Sequence, residues 1–203
     1  MKKLLLISQV LLCSICMFSQ TPEQLGKIEQ YKDFYKIENT ELIFTKIIDS
    51  IPGTKDEIFT KVVSYFATAY KSANDVIQQQ DKDAGIIIGK GIFDVYKKMS
   101  ASYSCFHTIR IDIKDGRARV ILSVDKYKYY NPAAAGMGVN NAETIIVDNY
   151  PIITENLTFT QKANKKLFTT VFIGLCETVE SMFYSIEKAL KTKTEITSPS
   201  DNW

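Results

Sequence analysis

Between residues 41 and 191 the hydrophobic positions change period several times, and each change marks an element. Glu41 to Ile51 is rich in β-branched residues and closes on Pro52-Gly53, the pattern of a strand running into a turn. Thr54 stands three residues before Glu57, a capping-box spacing, and Ile58, Val62, Phe66, Ala69 and Tyr70 recur at helical intervals. That predicts a helix from about Lys55 to Lys71. Asn74 to Asp81 reads as a short strand, and Asp81 to Gly85 as the turn into a strand over Ile86 to Lys97. A further strand covers about Tyr103 to Lys114, and the hairpin signal Asp115-Gly116 returns the chain as Arg117 to Tyr130.

Alternation assigns the faces of the three long strands. Ile87, Gly89, Gly91, Phe93 and Val95 oppose Lys90 and Asp94; Cys105, His107, Ile109, Ile111 and Ile113 oppose Phe106, Thr108, Arg110 and Asp112. On the last strand Ala118, Val120, Leu122 and Val124 oppose Arg117, Arg119, Ser123 and Asp125. This is an antiparallel meander with one packed and one polar face. A small-residue loop follows at Pro132 to Gly138, with short edge strands expected at Thr144 to Val147 and Ile152 to Thr158. From about Lys162 to Lys191 the apolar stripe of Leu167, Val171, Phe172, Leu175, Val179, Phe183, Ile186 and Leu190 predicts a long helix able to cover a sheet face. The expected fold is α+β: one domain over 41–191, a sheet packed on one face by helices. A polar, mobile lead-in over 21–40, with one helical turn, and a polar tail over 192–203 flank it.

Composition narrows the class. With 203 residues, 45% hydrophobic and 24% charged, and only 9 Gly and 5 Pro, the chain is neither disordered nor collagen-like nor a polytopic membrane protein. Met1-Lys2-Lys3 followed by the apolar run Leu4 to Phe18 and the polar Ser19-Gln20-Thr21-Pro22 reads as a secretory signal over residues 1–20. The run is shorter than the roughly 20 residues of a membrane span, which disfavours the alternative of a retained anchor helix, so no stable span is expected after cleavage. Cys13 follows Leu12 and Cys16 follows Ile15, where a lipid anchor needs a small residue, so a lipoprotein is disfavoured. The expected location is periplasmic or secreted. Cleavage leaves Cys105 and Cys176; an oxidising compartment permits a disulfide between them, and two buried thiols are the alternative. Taking Lys2 and Lys3 from the 25 Lys and Arg residues leaves a balance with the 23 Asp and Glu. A general polyanion binder normally carries a basic surplus, so nucleic acid is not an expected partner.

Ile51-Pro-Gly-Thr-Lys-Asp-Glu-Ile-Phe, Lys71-Ser-Ala-Asn-Asp-Val-Ile-Gln and Asp81-Lys-Asp-Ala-Gly-Ile-Ile-Ile-Gly-Lys-Gly91 together resemble a family of secreted Bacteroidetes proteins, a domain of unknown function with a TBP-like fold. The similarity spans about residues 42 to 130. It implies a curved antiparallel sheet with helices on one side, and it implies no activity and no catalytic residue. A minor-groove saddle needs a basic surround and apolar wedges; the expected open face mixes Lys90, Arg110, Arg117 and Arg119 with Asp94, Asp112 and Asp125.

Candidate chemistry is sparse. His107 is the only histidine and lies on the apolar side of its strand, where a core or rim imidazole is the plain reading. A Cys105–His107 nucleophile pair shares one face, but successive same-face residues stand roughly 6 to 7 Å apart, too far for direct proton transfer. Gly89-Lys90-Gly91 lacks the spacing of a phosphate loop and fits a close approach of a helix to the sheet. Lys126-Tyr127-Lys128-Tyr129-Tyr130 interleaves cations with rings, suited to stacking a sugar, a base or another ring, and equally to a strand end with amphipathic side chains. No carboxylate pair has acid/base or calcium-loop spacing, and no cofactor, metal or enzymatic activity is expected. The expected function is a non-enzymatic envelope binding module, with Lys90, Arg110, Arg119, Tyr127 and Tyr129 as binding candidates on the sheet face, or with the 131–150 loop. Its partner would be an envelope protein, a glycan or a small molecule. The alternative is a carrier of a small apolar ligand, with a cavity between the final helix and the sheet around Gly89, Gly91 and His107.

Overall fold

The computed structural model describes residues 20–70, 76–98, 101–132, 141–145 and 159–192. The segment up to residue 19 expected to be a signal, most of the 131–150 loop, the edge strand expected over 152–158 and the tail from 193 lie outside the described residues.

Helix α1 (Pro22–Tyr31) leads into β1 (Tyr35–Glu38) and β2 (Glu41–Asp49), then α2 (Lys55–Ala69). Strands β3 (Ile77–Asp81), β4 (Ile86–Lys98), β5 (Ala101–Lys114), β6 (Arg117–Tyr130) and β7 (Asn141–Ile145) follow, and α3 (Phe159–Lys191) closes the chain. One sheet of seven strands runs β1-β2-β6-β5-β4-β3, with β7 also paired to β6. The expected α+β architecture with a meander and a long final helix is therefore present. The lead-in is not: Thr21 caps α1 through a full capping box with Gln24, Pro22 sits at its first turn, and Gln24 Nε2 donates to Thr170 Oγ1 at 2.9 Å. Of its apolar positions Ile28 and Tyr31 are buried while Leu25 is exposed, and so sparse a stripe hides among polar residues. Tyr35 to Glu38 then pairs with Glu41 to Phe44 as a hairpin turning at Asn39, whose φ is 55°.

The described chain clusters into two compact units. One comprises Met1–Phe44, Ile92–His107 and Ser123–Val179. Its core holds Leu42, Phe44, Cys105, Tyr127, Phe172 and Leu175, with Tyr35 edge-on to Phe172 at 5.3 Å between ring centroids. Here Gly174 of α3 lies so close to β4 that a β-carbon would stand 2.1 Å from the Val95 carbonyl oxygen. The other unit comprises Thr45–Gly91, Thr108–Leu122 and Glu180–Trp203. Thr54 caps α2, which buries Ile58, Val62 and Phe66. Phe66 fills the space over Gly89, where a β-carbon would meet its Cε1 at 2.8 Å. That is the close approach expected of the glycine, with α2 as the partner. Lys61 ties α2 to the end of α3 by donating to the Leu190 carbonyl at 3.1 Å.

Helix α3 contains a stretch, Lys165–Lys191, long and apolar enough to cross a membrane by length and composition. Val171, Leu175, Val179, Ile186 and Leu190 are all buried within the two units, so its hydrophobicity is that of a core helix.

Candidate functional site

β5 and β6 set the site because their alternation leaves one face buried and the other partly exposed. On β5, Cys105, His107, Ile109, Ile111 and Ile113 are buried and the residues between them are partly exposed. The Asp115-Gly116 turn, with Gly116 at φ 66°, then brings β6 back beside β5. Asp112 and Arg119 meet across it: Arg119 Nη2 donates to Asp112 Oδ2 at 2.6 Å and Nε at 2.9 Å, while Arg110 Nε donates to Oδ1 at 2.7 Å. Burial pushes the Asp112 carboxyl up, but the hydrogen bonds and charges of Arg119 and Arg110 outweigh this and leave it lowered. One carboxylate thus orients two guanidinium side chains that stay 43% and 54% exposed. Arg117 Nε pairs with Asp49 at 2.8 Å on the same unit, and Lys90 is exposed there without an ion pair among the described residues.

Next to the cluster is a depression of about 550 Å³, bordered by Asp112, Lys114, Arg117 and Arg119, with Ile47 and Ile86 as apolar walls. A groove of about 680 Å³ in the same unit runs along α2 and the end of α3, past Glu57, Lys61, Tyr65 and Ala189. It is larger but chemically quieter, since the Lys61 ammonium is taken up by the carbonyls of Pro52 and Leu190.

Of the binding candidates, Arg110 and Arg119 are brought together and Lys90 shares their unit. Tyr127 is not on the polar face. β6 alternates through Val124, but two residues, Asp125 and Lys126, separate Val124 from the next buried position, Tyr127. The phase moves by one, as at a bulge, and turns both tyrosines inward. Tyr127 is fully buried and Tyr129 packs on Tyr103 at 5.0 Å. The lysines go the other way: Lys126 lies over the Phe106 ring at 5.1 Å and Lys128 at 5.8 Å, with Lys126 also paired to Glu143 at 3.0 Å. The interleaved motif is thereby divided between the two faces.

Neither described cysteine is placed as a reactive nucleophile. Cys105 and Cys176 are buried and neither forms a disulfide, so the bonded alternative gives way to two buried thiols. Burial pushes the Cys105 thiol up and lowers the His107 imidazole to about 4, so each is held neutral. His107 stacks on Phe93 with ring centroids 4.4 Å apart, a core imidazole. Among the described residues no cluster of His, Cys, Asp and Glu could hold a metal ion. The carrier reading loses part of its expected cavity, because Phe66, Ile109 and Val76 all crowd the space over Gly89.

An open antiparallel sheet packed by helices, with a long final helix, is the TBP-like class of α+β fold. Residues 44–128 match the family model described as a domain of unknown function (DUF4468) with TBP-like fold, the family that the segments between 51 and 91 resemble. The chain is similar to a TBP-like protein from Parabacteroides distasonis, with 16% identity, a TM-score of 0.59, and 77% of this chain and 97% of that one covered. It is also similar to a DUF4468 family protein from Bacteroides ovatus, with 12% identity, a TM-score of 0.51, and 80% and 96% covered. At such identities the likeness is one of fold. No curated protein matches the chain.

Proposed function

We propose that this chain is an exported, non-enzymatic binding module whose polar sheet face recognises a partner in the cell envelope. The observation that carries the reading is the Arg110–Asp112–Arg119 cluster, two half-exposed guanidiniums oriented by one carboxylate on the polar face of the sheet. Pre-oriented guanidiniums lose less freedom on binding than exposed lysines, so such a cluster suits recognition more than solubility. Export rests on the basic, then apolar, leader.

The test is the double variant Arg110→Gln with Arg119→Gln, compared with the parent for capture of partners from the envelope fraction of the source cells. The variant is expected to lose capture while staying folded, with at most a modest fall in melting temperature, since the guanidiniums are about half exposed and such pairs contribute about 0–1 kcal/mol each. Equal capture by both proteins would refute the sheet-face reading.

A further inference from the structure

We propose that the depression beside this cluster binds a small organic dianion, a phosphate ester or dicarboxylate with an apolar body, and that Asp112 is the positioning residue of that site. The inference rests on the sheet-face reading and names the ligand class. Four cations, Lys55, Lys114, Arg117 and Arg119, border the depression against the single carboxylate of Asp112. Two of the four have other partners: Lys55 Nζ donates to the Asp83 carbonyl at 2.8 Å, and Arg117 pairs with Asp49. Lys114 makes no ion pair among the described residues, and Asp112 divides one negative charge between Arg110 and Arg119. The Asp83 carbonyl carries no charge, so of the four bordering cations only two are offset, Arg117 by Asp49 and one more by Asp112; at least two positive charges are left without a counter-charge, which is the complement of a dianion.

Size and surface agree with this. The volume of about 550 Å³ lies within the range of about 300–1,000 Å³ typical of small-molecule sites. Ile47, 47% exposed on β2, and Ile86 at the start of β4 offer apolar contact to the ligand's body. The positive charge is local: without the leader the chain is neutral, so a long polyanion would find no extended basic track.

Titration of the mature protein with phenyl phosphate, followed by nuclear magnetic resonance, tests the proposal. Saturable shifts are expected at the Arg119 Nε–Hε signal and at the Lys114 and Ile86 amides, with weaker binding of inorganic phosphate. Lys114→Gln and Arg119→Gln should each weaken phenyl phosphate about tenfold, the loss of one charge-assisted hydrogen bond. Asp112→Asn should also weaken it although it removes a negative charge, an outcome that simple charge attraction does not produce. Absence of a saturable shift, or equal binding by all four proteins, overturns the dianion site. Binding that tightens in Asp112→Asn overturns the positioning role. If Arg110→Gln/Arg119→Gln loses envelope capture while the parent ignores phenyl phosphate, the ligand class fails and the sheet-face reading stands. If the parent binds phenyl phosphate but capture is unaltered in the double variant, the sheet-face reading fails and the dianion site stands.

Discussion

Two glycines in helices should respond to the same substitution with opposite sign. Gly26 lies in the exposed middle of α1, where a β-carbon would meet nothing within 4 Å. Gly174 lies in α3, where the same carbon would be 2.1 Å from the Val95 oxygen and 3.2 Å from its carbonyl carbon. Replacing an interior helical glycine by alanine is worth about 1 kcal/mol in backbone entropy, so Gly26→Ala should stabilise by about that amount. At Gly174 a carbon-to-oxygen contact needs roughly 3.3 Å, so α3 and β4 must part by about 1 Å. The obstacle is main chain fixed in a strand, not a side chain that can rotate away. Overpacking costs about 1–3 kcal/mol, and the upper end applies here; less the helical gain, Gly174→Ala should destabilise by about 2 kcal/mol. Equilibrium urea unfolding of both variants, followed by far-ultraviolet circular dichroism, measures the difference directly. A Gly174→Ala protein as stable as the parent, or shifted in the same direction as Gly26→Ala, would refute the close approach.

Three further outcomes follow from the interior and the caps. His107 has its pKa lowered to about 4 by burial, so the unfolded chain takes up a proton that the folded chain does not between the ordinary value of 6.5 and that value. Its contribution is present above pH 6.5 and is lost as pH falls towards 4, up to about 3 kcal/mol. His107→Phe, which keeps a ring against Phe93, should flatten the acid limb of a stability profile, and an unchanged slope would count against it. Cys105 and Cys176 should resist a thiol-directed disulfide reagent in the native protein and both react after unfolding; rapid native labelling would contradict their burial. Thr54→Ala removes the hydroxyl that accepts from the Glu57 N–H and should cost about 1 kcal/mol in a thermal melt, with no effect expected if the cap is idle.

The meander, the capped helix and the final helix were legible because each pattern repeats over ten or more residues, long enough for the period to show. α1 was not, because only Ile28 and Tyr31 of its ten residues are buried; its signal was the capping box of Thr21 and Gln24 with Pro22 between them. The site was half legible. Alternation placed Lys90, Arg110 and Arg119 on the polar face, and a two-residue turn at Asp115-Gly116 is enough to set Asp112 opposite Arg119, so their bond could have been found by counting back from the turn. Tyr127 could not, because one extra residue near Asp125 inverts every face beyond it and leaves no mark in composition.

The strand order carries a consequence for how the chain acquires its structure. β3, β4, β5 and β6 are neighbours in sequence as in the sheet, so their pairing closes only short loops. β2 reaches β6 across roughly 70 intervening residues, the long-range contact that topology makes slow. Until β2 arrives, the meander ends at β6, whose edge is open outside the Lys126–Tyr130 stretch that β7 pairs, with Val120, Leu122 and Val124 in the open part. A chain stalled there is a template for intermolecular strand pairing, so damage to β2 should show first as aggregation during refolding.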